Sequence, residues 1–151
     1  MVDGFLFFAR FMVIGALVTP LSGCSSFHRD FKALDTTADA TDDILGRWEG
    51  TWISDQNGHH GILRCIVEPH PKKSGRYLAR FRATFARFMS FQYHLEMTTE
   101  RREDAVHFKS KADLGWLAGG VYKYKGQATA TEWRSTYRSK KDHGRFEMTR
   151  P

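Results

Sequence analysis

The chain has 151 residues, 41% of them apolar and 14% aromatic, with 12 Phe, 5 Tyr and 4 Trp. That is the size of one domain with enough apolar surface for a real core, which excludes wholesale disorder. The net charge of +6 favours anionic neighbours such as nucleic acid, anionic lipid or polysaccharide.

Residues 1–23 read as an export signal. An apolar run of about ten residues follows Arg10, too short to span a bilayer but of signal-peptide length. It ends in Leu21-Ser22-Gly23-Cys24. That tetrapeptide resembles the lipobox of bacterial lipoprotein precursors, in which small residues precede the modified cysteine. The resemblance implies cleavage before Cys24, a diacylglyceryl thioether on Cys24 and a further acyl chain on the new amino group. Two or three buried chains anchor a protein almost permanently, at about 0.8 kcal/mol per CH₂. Ser25 after the cysteine implies the outer membrane, with the domain facing the periplasm. Export also removes nucleic acid as a partner, leaving the membrane or another anionic envelope component.

Residues 24–43 are polar and rich in Thr, Asp and Ala with no steady period, so they read as the lipidated N-terminus and a flexible tether. A short helix around Phe31–Leu34 is compatible with the sequence. Residues 44–151 form the folded domain. Cys65 lies among Ile62, Leu63, Ile66 and Val67 and reads as a small buried hydrophobe rather than a reactive thiol.

From Ile44 the pattern is strand-like alternation. The expected strands are Gly46–Ser54, Ile62–Glu68, Arg76–Arg87, Ser90–Thr99, Ala105–Lys111, Val121–Thr129, Thr131–Ser139 and Arg145–Arg150. Turn chemistry separates them: Asp55–Gly58, Pro69–Gly75, Glu100–Asp104, the glycine-bearing Leu114–Gly120, and Lys140–Gly144. Short, evenly spaced strands joined by tight turns predict an all-β, eight-stranded antiparallel up-and-down barrel. A β-sandwich uses the same alternation and is the alternative. A membrane-spanning barrel would turn the rings outward and pack Arg80, Arg82, Lys123, Lys125, Arg134 and Arg138 into a narrow lumen, which is costly.

Gly46-Arg47-Trp48 resembles the Gly-x-Trp that opens the first strand of lipocalins and their calycin relatives. The resemblance implies that Trp48 closes one end of the barrel beneath a cation from the last strand, which Arg150 supplies here. The chain lacks the C-terminal helix, long first loop and disulfides of lipocalins, so ligand binding does not transfer with the motif.

The interior should be lined by Trp48, Trp52, Tyr77, Phe81, Phe85, Phe91, Tyr93, Tyr122, Tyr124, Trp133 and Tyr137, which form a candidate pocket for a small hydrophobic ligand. The alternative is a filled core, with the protein acting through its surface. Lys109, Lys111, Lys123, Lys125, Arg134 and Arg138 should form a basic patch on adjacent strands, suited to an anionic envelope partner. Trp116 and Leu117 are placed to cap or plug one mouth. The scattered histidines lack metal-ligand spacing. No local arrangement suggests catalysis, so no cofactor and no enzyme activity are expected.

Overall fold

A computed structural model describes residues 23–34, 44–86, 88–116 and 119–151. The expected export signal, apart from Gly23, and residues 35–43 of the segment read as a tether lie outside the described residues. The strands are β1 (Gly46–Ser54), β2 (His60–Pro69), β3 (Arg76–Phe85), β4 (Met89–Arg102), β5 (Ala105–Asp113), β6 (Val121–Ala128), β7 (Glu132–Arg138) and β8 (His143–Thr149). Each pairs antiparallel with the next, and β8 pairs back onto β1 with Trp52 opposite Phe146. The result is a closed eight-stranded barrel. Closure replaces the alternative of two packed sheets and leaves no free sheet edge.

Alternation decides which side chains face in. On β3, Ala79, Phe81 and Ala83 are buried inside, while Arg80 and Arg82 stand on the outer wall. The small alanines beside the rings give the curved interior room for aromatic neighbours. The outer wall carries Arg64, Arg80, Lys109, Lys123 and Arg134, not the apolar band of a lipid-facing wall. Cys65 is free and fully buried, and burial pushes its thiol well above the usual range.

Of the expected strands only β1 keeps both bounds, and the shifts at β4 and β8 matter most for the ends of the barrel. β4 runs on to Arg102, so the turn into β5 contracts to Glu103-Asp104, with Glu103 at φ 51°. β8 starts at His143, because Gly144 pairs with both Tyr137 and Ser54.

The larger difference lies at the N-terminal side. Gly23–Ala33 forms a helix, α1, where an irregular tether was expected. Phe27, Phe31 and Leu34 recur at helical spacing and make one apolar stripe. A free helix of this length is marginal in water, so its docking is what sustains it. Phe27 and Phe31 stack at 5.9 Å and cover Ile66, the apolar residue that β2 presents outward. The guanidiniums of Arg47 and Arg64 lie 5.6 and 5.5 Å from the Phe31 ring. Arg47 also donates to the Phe31 carbonyl at 3.1 Å, satisfying one of the open acceptors at the helix end. Arg80 donates to Asp30 at 3.0 Å. The barrel wall over β1–β3 is thereby covered, and Cys24 falls in the first turn of a docked helix.

Candidate functional site

The two ends of the barrel are built differently. At the end where β1 begins, Trp48 and Trp133 are buried with ring centroids 5.6 Å apart, and Phe108 packs 4.4 Å from Trp133. Trp48 Nε1 donates to the Ile44 carbonyl at 3.0 Å, and Trp133 Nε1 to Ser135 Oγ at 3.0 Å. The Arg150 guanidinium sits 3.7 Å from the Trp48 ring centroid. Its nitrogens donate to the carbonyls of Leu45, Arg47 and Ala130. One side chain from the end of β8 therefore ties the strand-one entry shut by cation–π and hydrogen-bond contacts.

At the opposite end the interior opens into a cavity of about 400 Å³, within the range that holds a small organic molecule. Trp52, Phe91, Tyr93, Tyr122, Tyr124 and Tyr137 line it together with Leu63, Ala83, Gln92, Leu114, Asp142 and Phe146. The rings form a connected set: Phe91 stacks on Tyr93 at 6.0 Å, Tyr93 on Tyr124 at 6.4 Å, and Tyr137 lies 5.1 Å from Phe146. Trp52 Nε1 donates to the Thr84 carbonyl at 2.8 Å, which fixes its indole at the rim. Gly61 makes that approach possible, since a Cβ there would lie 1.9 Å from the Thr84 oxygen.

The polar edge of the cavity is Asp142. The β7–β8 turn aims it: Ser139 Oγ accepts from the backbone amides of Lys141 and Asp142, at 3.1 and 3.0 Å. The carboxylate accepts from Ser54 Oγ at 2.6 Å and from the Tyr137 hydroxyl at 3.2 Å. Burial raises the Tyr93 phenol well above its usual value, and the nearby Tyr124 phenol adds to the effect. Burial likewise raises Tyr124, and it raises Tyr137 with help from the Asp142 carboxylate. These phenols stay protonated at neutral pH and remain hydrogen-bond donors.

Five of the expected pocket residues do not line the cavity. Trp48 and Trp133 are consumed in sealing the closed end. Phe81 is stacked on Tyr93 in the packed middle at 5.2 Å. Tyr77 lies toward the closed end, opposite Met97. Phe85 sits at the rim, stacked on Trp52 and edged by His59. The barrel is thus packed at one end and opens at the other through a cavity whose inner rings, Tyr124, Tyr137 and Phe146 among them, are themselves buried against one another. Trp116 does not plug the mouth, being 79% exposed, and Leu117 lies outside the described residues. Sequence alone does not single out Asp142, which stands in a turn; Ser139, three residues before it, is the available signal.

The basic residues lie where alternation put them, all exposed on the outer wall. Lys109 pairs with Lys125, Lys111 with Lys123, and Lys123 with Arg138 across neighbouring strands. Lys109, Lys111, Lys123, Lys125 and Arg138 line a groove of about 1000 Å³ on that wall, with Glu96 and Arg76 among its other residues. Arg134 lies further along β7, ion-paired with Glu132 at 3.1 Å. Among the described residues, no group of three or more His, Cys, Asp or Glu converges as a metal site.

No protein-family model matches the chain, and no curated protein matches it. Among solved structures it is similar to a redesigned β-barrel, mFAP1, bound to DFHBI. The TM-score is 0.52 at 13% identity, covering 72% of this chain and 95% of that one. At that identity the likeness shows the fold alone: the chain is a closed eight-stranded up-and-down β-barrel.

Proposed function

We propose that the protein is a lipid-anchored binding module of the cell envelope that holds one small, largely aromatic or apolar molecule in the open half of its barrel. The observation that carries this reading is the 400 Å³ cavity walled by four tyrosines, Trp52 and Phe146. Apolar ring faces favour a flat hydrophobic ligand, and protonated phenols favour one that carries hydrogen-bond acceptors at its edge. The similar designed barrel, which holds a small molecule, supports the capacity of this architecture for such a guest. The carboxylate of Asp142, already engaged by Ser54 and Tyr137, disfavours a carboxylate or phosphate at that end of the guest. The reading is of binding, without a turnover step.

Anchoring rests on the Leu21–Cys24 motif. It is supported by the position of Cys24 at the start of α1, which would hold the barrel close to the bilayer. Replacing Cys24 with Ala should release the chain from the membrane fraction; undiminished membrane association removes the anchor from the proposal. The cavity is tested by titrating the Cys24→Ala chain with a polarity-sensitive hydrophobic fluorophore. Saturable, one-to-one enhancement is expected, and a flat titration contradicts a binding role.

A second reading uses the outer wall. Stacking lysine opposite lysine across β5 and β6 is unfavourable on its own, so the arrangement suits an anionic envelope component lying in the groove along Lys109, Lys111, Lys123 and Lys125.

A further inference from the structure

The exposed large apolar residues are not scattered. Ile62, Phe88, Met89, Phe91, Trp116 and Val121 all belong to the end of the barrel where the cavity opens. Phe88 is 84% exposed and Trp116 79% exposed, and they occupy neighbouring connections round the rim, β3–β4 and β5–β6. The turns at the sealed end carry Lys72, Lys73, Glu103, Asp104 and Thr131 instead. Desolvating a ring stabilises by roughly 1.5–3 kcal/mol, and solvent-exposed rings forgo this, so two presented together on one rim point to a partner.

Their presentation is structured. The Leu114 amide donates to the Gly120 carbonyl at 3.0 Å, and the Gly120 amide to the Gly115 carbonyl at 2.8 Å. These bonds fasten the two ends of the connection to each other, next to Trp116. Gly115, Gly119 and Gly120 all have positive φ, and a Cβ on Gly119 would meet the Tyr122 hydroxyl at 2.7 Å. The loop is therefore held against the cavity wall while its indole faces out.

Positive charge gathers on the β5–β8 side of this rim. Lys111, Lys123, Arg138, Lys140 and Lys141 lie on the same end and form no ion pair among the described residues. Of the acidic residues there, Asp55 is ion-paired with Arg145, while Asp142, held by the neutral hydroxyls of Ser54 and Tyr137, and Asp113, which accepts from the Gly115 amide, keep their charges and are outnumbered by the five cations. Exposed indole and phenyl rings on the same rim as a cationic sector over β5–β8 match an interface of acyl chains and anionic head groups. A protein partner would more naturally meet them with a groove of its own, whereas a bilayer accepts isolated protruding rings.

We propose that the open rim of the barrel docks on an anionic lipid bilayer, with Trp116 and Phe88 entering the interface and Lys140, Lys141, Lys111, Lys123 and Arg138 contacting head groups. The cavity mouth would then face the membrane, so an apolar guest could pass between bilayer and barrel without crossing water. The docking stands apart from the ligand reading: it holds even if the cavity takes no guest, and cavity binding is measured separately without vesicles.

The test uses the full chain with phosphatidylcholine vesicles and with equimolar phosphatidylcholine–phosphatidylglycerol vesicles whose acyl chains carry bromine. Bromine quenches only an indole that reaches the acyl region, so the readout locates Trp116 whatever else holds the chain to lipid. Quenching by the anionic vesicles is expected, and Trp116→Phe should abolish most of it. Lys140→Glu with Lys141→Glu should raise the lipid concentration for half-maximal quenching at least tenfold, at about fivefold or more per charge. Phe88→Ser should raise it as well, and near-ultraviolet circular dichroism should be unchanged in each variant. Vesicle association without Trp116 quenching, equal quenching by neutral vesicles, or an unaltered charge-reversed double variant overturns the proposal. Absence of any vesicle effect also overturns it and assigns the rim to a protein partner.

Discussion

Lys111 and Lys123 face each other in register across β5 and β6 on the outer wall, and Lys123 faces Arg138 on its other side. Like charges directly opposite on one sheet face repel. Lys123→Glu should therefore raise the thermal midpoint, by about 2–4 °C, while weakening binding of an anionic polymer to this wall. A calorimetric scan at low salt checks the first effect. A lowered midpoint would mean that the wall is not electrostatically strained.

Ala83 is buried and lines the cavity. Ala83→Leu adds three carbons toward the cavity of about 400 Å³, so its stability cost should stay below about 1.5 kcal/mol. The same substitution should weaken uptake of a hydrophobic fluorophore at least tenfold. Denaturant unfolding and titration, run side by side, separate a filled pocket from a damaged fold.

Much of this architecture was legible in the sequence because one rule governs it. On β3, β6 and β7 the rings alternate with lysines and arginines, and only one register buries the first and hydrates the second. The pairing of Trp48 with a cation is what the Gly-x-Trp resemblance implies, and Arg150 is the residue within reach because the last strand of a closed meander must return beside the first. Two features were not legible. Whether inner rings fill or spare the axis depends on side-chain volume layer by layer: Trp48, Trp133 and Phe108 crowd one level, while Ala83 and Leu63 leave room at another. The docking of α1 was hidden because Ser25–Asp43 is polar overall. Its trace was Ile66, an apolar residue out of phase with Leu63, Cys65 and Val67 on β2, which marks a patch of outer wall that something covers.

That cover supplies a further prediction. Phe31→Ala removes the ring held between Arg47 and Arg64 and should cost helix docking about 3 kcal/mol. Backbone amides of α1 should lose roughly 100-fold in hydrogen-exchange protection, and those of β6 and β7 should not change. Uniform loss across the barrel would make α1 an integral part of the folding unit rather than a docked element.

Glu96 stands on the outer face of β4, where it accepts from Lys73 at 2.9 Å and is also paired with Arg76. Hydrogen bonds from Lys73 and then Arg76 lower its carboxyl from 4.5 to about 2. A depressed carboxylate contributes stability that is complete above its unfolded value and is lost as pH falls through the folded one. The midpoint should therefore decline between about pH 4.5 and 2, in a salt-sensitive way because the site is exposed. Glu96→Gln should flatten that part of the profile, as measured by thermal unfolding across the acid range. An identical acid profile would show that the pairing contributes nothing in solution.

The account's central claim is that the open half of the barrel is a binding cavity. Native mass spectrometry of the chain purified from its own membranes tests it most directly. A single small-molecule adduct is expected, released on unfolding and absent from Ala83→Leu. Only the unadducted mass, with no adduct recovered when candidate hydrophobic molecules are added in excess, would contradict it.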